Sequence, residues 1–195
     1  MAEPQTPADA PLSAQAPSSP GWRPGDERLD LDSMIRVDQA GEYGATRIYC
    51  GQLAALGAHP ASRSIARMQA QEERHLRTFD EMMVERGIRP TLLQPLWRVA
   101  GHALGVTTAL MSPGAAMACT AAVETEIDRH YSGQLRALGD SEPDLSATIS
   151  RFRDEELEHR DTAIAAGAEE TFGYPILSSL IRAGCRIAIA LSKRI

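Results

Sequence analysis

Aromatic residues make up only 5% of this 195-residue chain, whereas hydrophobic residues make up 43%, much of it Ala, Leu and Ile. Strands draw on β-branched and aromatic side chains, so this poverty argues against sheets and for an all-α fold. Cysteine is scarce too. Cys50, Cys119 and Cys185 stand alone with no C-x-x-C spacing, which excludes a rubredoxin-type or zinc-finger site and fits buried thiols in a reducing compartment. There is no basic excess: the formal net charge of -6 excludes a general nucleic-acid role. A Gly-x-Gly-x-x-Gly run is missing as well, so the chain offers no nucleotide or flavin fingerprint of that kind.

What is present divides into a tail and one domain. Pro4, Pro7, Pro11, Pro17, Pro20 and Pro24 interrupt any regular element, and residues 1–28 read as a disordered Pro/Ala/Ser-rich tail. It lacks the positive start and apolar run of a secretory signal, and Glu3 and Asp9 suit a mitochondrial presequence poorly. Residues 29–195 are long enough for a single well-buried core.

Periodicity and breakers predict six helices there. The first follows the potential caps Asp30 and Asp32 and stops before Gly57 and His59-Pro60. The second runs from about Ala61 to Glu85, the third from Leu92 to about Leu110, and the fourth from Ala115 to about Leu138. A fifth follows Pro143 and reaches about Ala168, and a sixth occupies Ile176 to Lys193. Short loops between six helices make a bundle.

Four of these helices carry a repeated pattern. The second contains Glu72 and His75, the fifth Glu156 and His159, each as Glu-x-x-His, so each pair projects from one helix face. The first carries Glu42 and the fourth Glu124, at similar distances before those pairs. A lone Glu-x-x-His is common on charged helices, but two of them plus a single Glu on each of two more helices form the ligand set of ferritin-like di-iron and di-manganese proteins. The chain reads as a duplicated two-helix unit about a pseudo-twofold axis. Carboxylates are hard donors that bridge cations, and four of them balance two divalent ions. Glu73, Glu155 and Glu158, the remaining acids of these segments, are expected on solvated faces.

Gly41 and Gly44 flank Glu42 at a helical cost of about 1 kcal/mol each against Ala, which suggests close packing by another helix, or by a substrate. His130 and Tyr131 fall six and seven residues after Glu124, where they could support that ligand, touch substrate, or form ordinary half-buried surface. His59 and His102 match no ligand spacing.

Between Arg98 and Glu124 there is no formal charge, but Gly101, Gly105, Pro113 and Gly114 argue against a membrane span. In the sixth helix Ile176, Leu177, Leu180, Ile181, Ile187 and Leu191 form an apolar stripe with Arg182, Arg186 and Lys193 opposite. Two readings fit: a helix lying in a membrane interface, or an amphipathic helix covering the bundle.

The segments Met34–Ala45, Arg89–Trp97, Met117–Glu124, Phe152–His159 and Ala183–Ile189 resemble the demethoxyubiquinone hydroxylase family of ubiquinone biosynthesis, and the resemblance covers about residues 29–195. It implies a ferritin-like four-helix bundle with two additional apolar helices for membrane association. It implies a monooxygenase with two Fe ions that uses O2 to hydroxylate the ring of a polyprenylated demethoxyubiquinol, releasing the second oxygen as water. Glu42, Glu72 and His75 would bind one iron and Glu124, Glu156 and His159 the other, with Glu72 and Glu156 as bridges. No catalytic residue beyond these ligands is assigned. Two electrons must come from an external donor, NADH or a reductase, or from the quinol itself. The implied location is peripheral, at the cytoplasmic face of a bacterial inner membrane, where other ubiquinone-biosynthesis proteins are potential partners. Two alternatives use the same ligands: a rubrerythrin-like peroxidase or di-manganese catalase, and a non-enzymatic iron- or lipid-binding component of a biosynthetic complex.

Overall fold

The computed structural model describes residues 29–195; the Pro-rich segment 1–28 lies outside the described residues. Those residues form six helices and no strand: α1 (Leu31–Leu56), α2 (Ser62–Arg86), α3 (Gln94–Met111), α4 (Pro113–Leu138), α5 (Pro143–Ala165) and α6 (Tyr174–Ser192). The all-α expectation therefore holds.

Local chemistry sets the ends. Asp30 caps α1 by accepting the Ser33 amide at 3.0 Å. Gly87, in the left-handed region at φ 67, closes α2, where the Ile88 amide reaches back to the Met83 carbonyl at 2.8 Å. Several ends differ from expectation by one to three residues, and in the fourth and fifth helices the reason is local. The fourth helix begins at Pro113, because Ser112 caps it through the Ala115 amide and proline is tolerated in a first turn. The fifth stops at Ala165, short of Ala168, because Gly167 turns left-handed at φ 88 and the Ala168 amide bonds back to Ala163.

Two apolar clusters frame the interior. One gathers Ile35, Phe79, Met83, Leu138, Ile149 and Phe152; the other gathers Ala45, Ile65, Met68, Met117, Ala121 and Ala163. Helices α1, α2, α4 and α5 contribute to both. On each of them the buried Glu falls between its residues of one cluster and its residues of the other, so a polar layer lies inside an otherwise apolar core.

Helix α3 packs on α1, and α6 packs mainly on α4. The α1–α3 approach is backbone against backbone: a Cβ on Gly105 would run into the Ile48 carbonyl, and one on Gly51 into the His102 carbonyl. The end of α6 is tied down by Ser33 Oγ donating to the Lys193 carbonyl at 3.2 Å and Trp97 Nε1 donating to Ser192 Oγ at 3.0 Å. Of the two apolar helices expected, α6 alone among the described residues is long and apolar enough to cross a membrane, by length and composition. It leaves Ile176, Leu180 and Ile187 exposed, and α3 leaves Val99 and Leu110 exposed.

Candidate metal centre

The polar layer contains all six residues singled out by spacing. Glu42, Glu72, His75, Glu124, Glu156 and His159 are each at most 2% exposed. Ligand atoms of Glu42, Glu72, His75 and Glu156 all lie within 4.8 Å of one another, and so do those of Glu72, Glu124, Glu156 and His159. The two groups share Glu72 and Glu156.

Helix geometry explains the convergence. In α2 and α5 the i, i+3 spacing puts Glu and His on one inward face, and the two imidazoles point Nδ1 at the carboxylates. His75 Nδ1 lies 3.0 Å from Glu156 Oε1, and His159 Nδ1 lies 3.1 Å from Glu156 Oε2 and 3.0 Å from Glu72 Oε1. Phe152, one turn before Glu156, stacks on the His75 ring with centroids 3.9 Å apart and fixes its plane.

The donor set fits divalent cations. Glu42 Oε2, Glu124 Oε2 and both oxygens of Glu72 are buried without a hydrogen-bond partner. His159 stands at ion-pair distance from Glu72, and His75 at 3.5 Å from Glu42, but neither contact has hydrogen-bonding geometry. Orphaned buried carboxylate oxygens are costly unless a cation completes them. Burial, and then repulsion from Glu156, pushes Glu72 and Glu124 well above the ordinary carboxylate range. Burial would lift Glu156 too, but hydrogen bonds with His159 and His75 outweigh it and hold it at about 2. His75 shows the reverse balance: burial opposes its charge, yet contacts with Glu156 and Glu42 raise it to about 10. Such opposed shifts mark a site whose charges await a counter-ion.

Two tyrosines complete the ring of contacts. Tyr49 donates to Glu124 Oε1 at 2.8 Å, and Tyr131 donates to Glu42 Oε1. Each stands seven residues after the glutamate of its own helix and serves the glutamate of the other, so the pseudo-twofold relation extends beyond the ligands. Burial first, then the adjacent carboxylates, raises both phenols well above 10, which keeps them neutral donors. Tyr131 is thus a supporting donor, but to Glu42 and not to the Glu124 of its own helix, whereas His130 reaches Asp38 Oδ1 at 3.1 Å instead of a ligand. Tyr49 was legible only through the same seven-residue offset. Glu155 corrects its expectation: it bonds His75 Nε2 at 3.0 Å from a half-buried position. His59 makes only a local turn contact with the Ala61 amide, consistent with its lack of ligand spacing.

Beside the centre lies an apolar pocket of about 470 Å³ between α1, α3, α4 and α6. Gly41 and Gly44 open into it, and a Cβ on either would meet nothing within 4 Å. Gly41 thus leaves space, whereas at Gly44 the backbone of α3 packs close, a Cβ on Gly101 falling 3.0 Å from the Gly44 carbonyl. Val123, next to Glu124, lines the same pocket, as does Glu126, which Arg182 and Arg186 hold at 2.7 and 2.8 Å.

Residues 29–192 match the family described as ubiquinone biosynthesis protein COQ7. The chain belongs to this family. Its relatives include the 3-demethoxyubiquinol 3-hydroxylase of Rhodospirillum rubrum, 55% identical over 85% of this chain and 78% of the relative. The human NADPH-dependent 3-demethoxyubiquinone 3-hydroxylase, mitochondrial, is 50% identical over 86% and 79%. The mitochondrial 5-demethoxyubiquinone hydroxylase of Saccharomyces cerevisiae is 44% identical over 85% and 78%. All three relatives carry hydroxylase names, which favours that reading over the peroxidase, catalase and iron- or lipid-binding alternatives.

Proposed function

We propose that this chain is a di-iron monooxygenase that hydroxylates the ring of a polyprenylated demethoxyubiquinol in ubiquinone biosynthesis. The observation that carries the reading is the convergence of four glutamates and two histidines in one buried layer, beside an apolar pocket whose wall includes their sequence neighbours Gly41 and Val123. We read the bundle as ferritin-like, with α1, α2, α4 and α5 as its four ligand-bearing helices.

Glu42, Glu72 and His75 would hold one iron, Glu124, Glu156 and His159 the other, and the shared Glu72 and Glu156 would bridge. When bound, the iron pair supplies the redox chemistry that lets O2 insert one oxygen atom into an aromatic C–H bond. The balance is one ring C–H converted to C–OH, with the second oxygen leaving as water at the expense of two electrons and two protons from a reductant. The names of the animal relatives point to a nicotinamide donor. Among this chain's own groups, Tyr131 and Tyr49 hold Glu42 and Glu124 by hydrogen bonds, and Phe152 orients His75. The apolar clusters above and below the ligands exclude water from the layer.

The pocket suits an apolar ring carrying an isoprenoid tail. Exposed apolar residues on α3 and α6, with Arg182 and Arg186 beside them, suit the surface of a membrane, and we place the protein peripherally at the cytoplasmic face of a bacterial inner membrane. Other proteins of the pathway would meet it there.

Quinone profiling by mass spectrometry in a strain lacking its own hydroxylase tests the activity. Wild type should restore ubiquinone, and Glu156→Ala should leave demethoxyubiquinone to accumulate. A well-expressed, iron-loaded wild type that restores nothing would sink the proposal.

A further inference from the structure

Behind the two histidines lies a second set of contacts. Each ring turns Nδ1 inward to the carboxylates and Nε2 outward. The outward Nε2 of His75 lies 3.0 Å from Glu155 Oε2, and that of His159 lies 3.1 Å from Gln71 Oε1. The side-chain amide of Gln71 donates to the same Glu155 oxygen at 3.1 Å. Gln71 and Glu155 hold equivalent places, each directly before the Glu of its Glu-x-x-His, and each serves the histidine of the other helix. A continuous chain results: His75, Glu155, Gln71, His159.

Its donors and acceptors allow one arrangement. An ionised Glu155 only accepts, so His75 Nε2–H and the Gln71 amide both donate to it. The Gln71 oxygen then accepts from His159 Nε2–H. With Nε2–H committed in both rings, the proton given up to an incoming cation is the one on Nδ1, which leaves an Nδ1 lone pair aimed into the centre, the form in which imidazole binds a metal.

The chain is also unequal. A carboxylate accepting from an imidazole N–H raises the basicity of the ligating nitrogen, whereas a neutral amide oxygen does so less. Arg74, at 3.8 Å from Glu155 and itself largely exposed, offsets only part of that charge.

The geometry points to Gln71 and Glu155 as positioning residues that fix both histidine tautomers and make the two halves of the centre unequal. The half built on Glu42 and His75 holds its divalent cation more tightly than the half built on Glu124 and His159. This rests on the two-iron reading above.

Timed removal of iron from the loaded full-length protein by a chelator provides the test. Wild type should lose its two ions in separate phases, with rates about 10-fold or more apart, the size usual for an outer hydrogen-bond partner. Anomalous scattering from crystals arrested between the phases should place the retained ion beside His75. Glu155→Gln preserves the hydrogen bonds and removes the charge, so its phases should converge. Exchanging the pair, Gln71→Glu together with Glu155→Gln, moves the carboxylate behind His159 and should leave the retained ion there. A single phase in wild type, or an exchanged pair that still retains its ion beside His75, overturns the inference. If the exchanged pair does not fold, unchanged separate phases in Glu155→Gln overturn it. Fewer than two ions per loaded wild-type chain would instead remove the two-iron reading and the inequality with it.

Discussion

Filling the centre should release protons, in a number set by the burial of its ligands. Glu72 and Glu124 are lifted well above the carboxylate range by burial and then by Glu156, and His75 stands at about 10. At neutral pH, without cations, His75 carries a proton, and Glu72 and Glu124 hold theirs to higher pH than ordinary carboxyls do. Cations bind the carboxylate and the neutral imidazole, so loading expels the His75 proton and whatever Glu72 and Glu124 still hold, about one proton or more per filled pair. Raising the pH removes those protons in advance, and the apparent affinity for the pair should climb about tenfold or more per pH unit near neutrality. Glu156, already ionised with its value near 2, adds nothing to the count. Calorimetric titration of the metal-free chain in two buffers of different ionisation enthalpy measures the protons directly. Release of fewer than one proton, or an affinity that stays flat across neutral pH, would refute the account of the ligand layer. Stability of the metal-free chain should move the opposite way. A carboxyl whose folded value is raised favours folding below its unfolded value, about 4.3, and loses that contribution as pH rises through the folded value. The gap in Tm between loaded and metal-free protein should therefore widen with pH.

Three substitutions separate the parts of the molecule. Gly105→Ala drives a Cβ into the Ile48 carbonyl and should cost about 1–3 kcal/mol by forcing α3 off α1, seen as a lower Tm with iron content retained. Gly41→Leu has room for its Cβ and should fold and load normally while filling the pocket; iron-loaded variant that still converts demethoxyubiquinone would refute the pocket's role. Tyr49→Phe removes the donor to Glu124 Oε1, a buried hydrogen bond to a charged group worth about 1.5–3 kcal/mol, and should speed iron loss from the Glu124 half in a chelator assay.

The helices and ligands were legible because both follow fixed periods. Glu-x-x-His at i, i+3 can only project from one face, and its repetition with Glu42 and Glu124 specified a common layer before any coordinates. Contacts between helices were not legible in that way. Glu155 and Gln71 sit where a solvated residue is expected, and only the crossing of α2 and α5 brings each to the other helix's histidine. Gly41 and Gly44 show the same limit: a helical glycine signals missing volume, but whether another backbone or open space takes that volume depends on where α3 and α6 lie. Gly105 meets the backbone of α1, and Gly41 meets the pocket.

Adjacent residues on a helix point about 100° apart, which gives α1 two functional faces. Glu42 enters the polar layer while Gly41 faces the pocket, and on α4 Glu124 and Val123 divide the same tasks. An apolar ring in the pocket would thus lie against the two helices that carry Glu42 and Glu124, which in the proposed centre would each serve one iron. Their backbones are held from both sides, α1 by the close contact with α3 and α4 by the Arg182 and Arg186 pairs from α6 through Glu126. The apolar helices would therefore have a second role besides the proposed surface attachment: by fixing α1 and α4, they would fix the spacing between a ring in the pocket and the ligand layer.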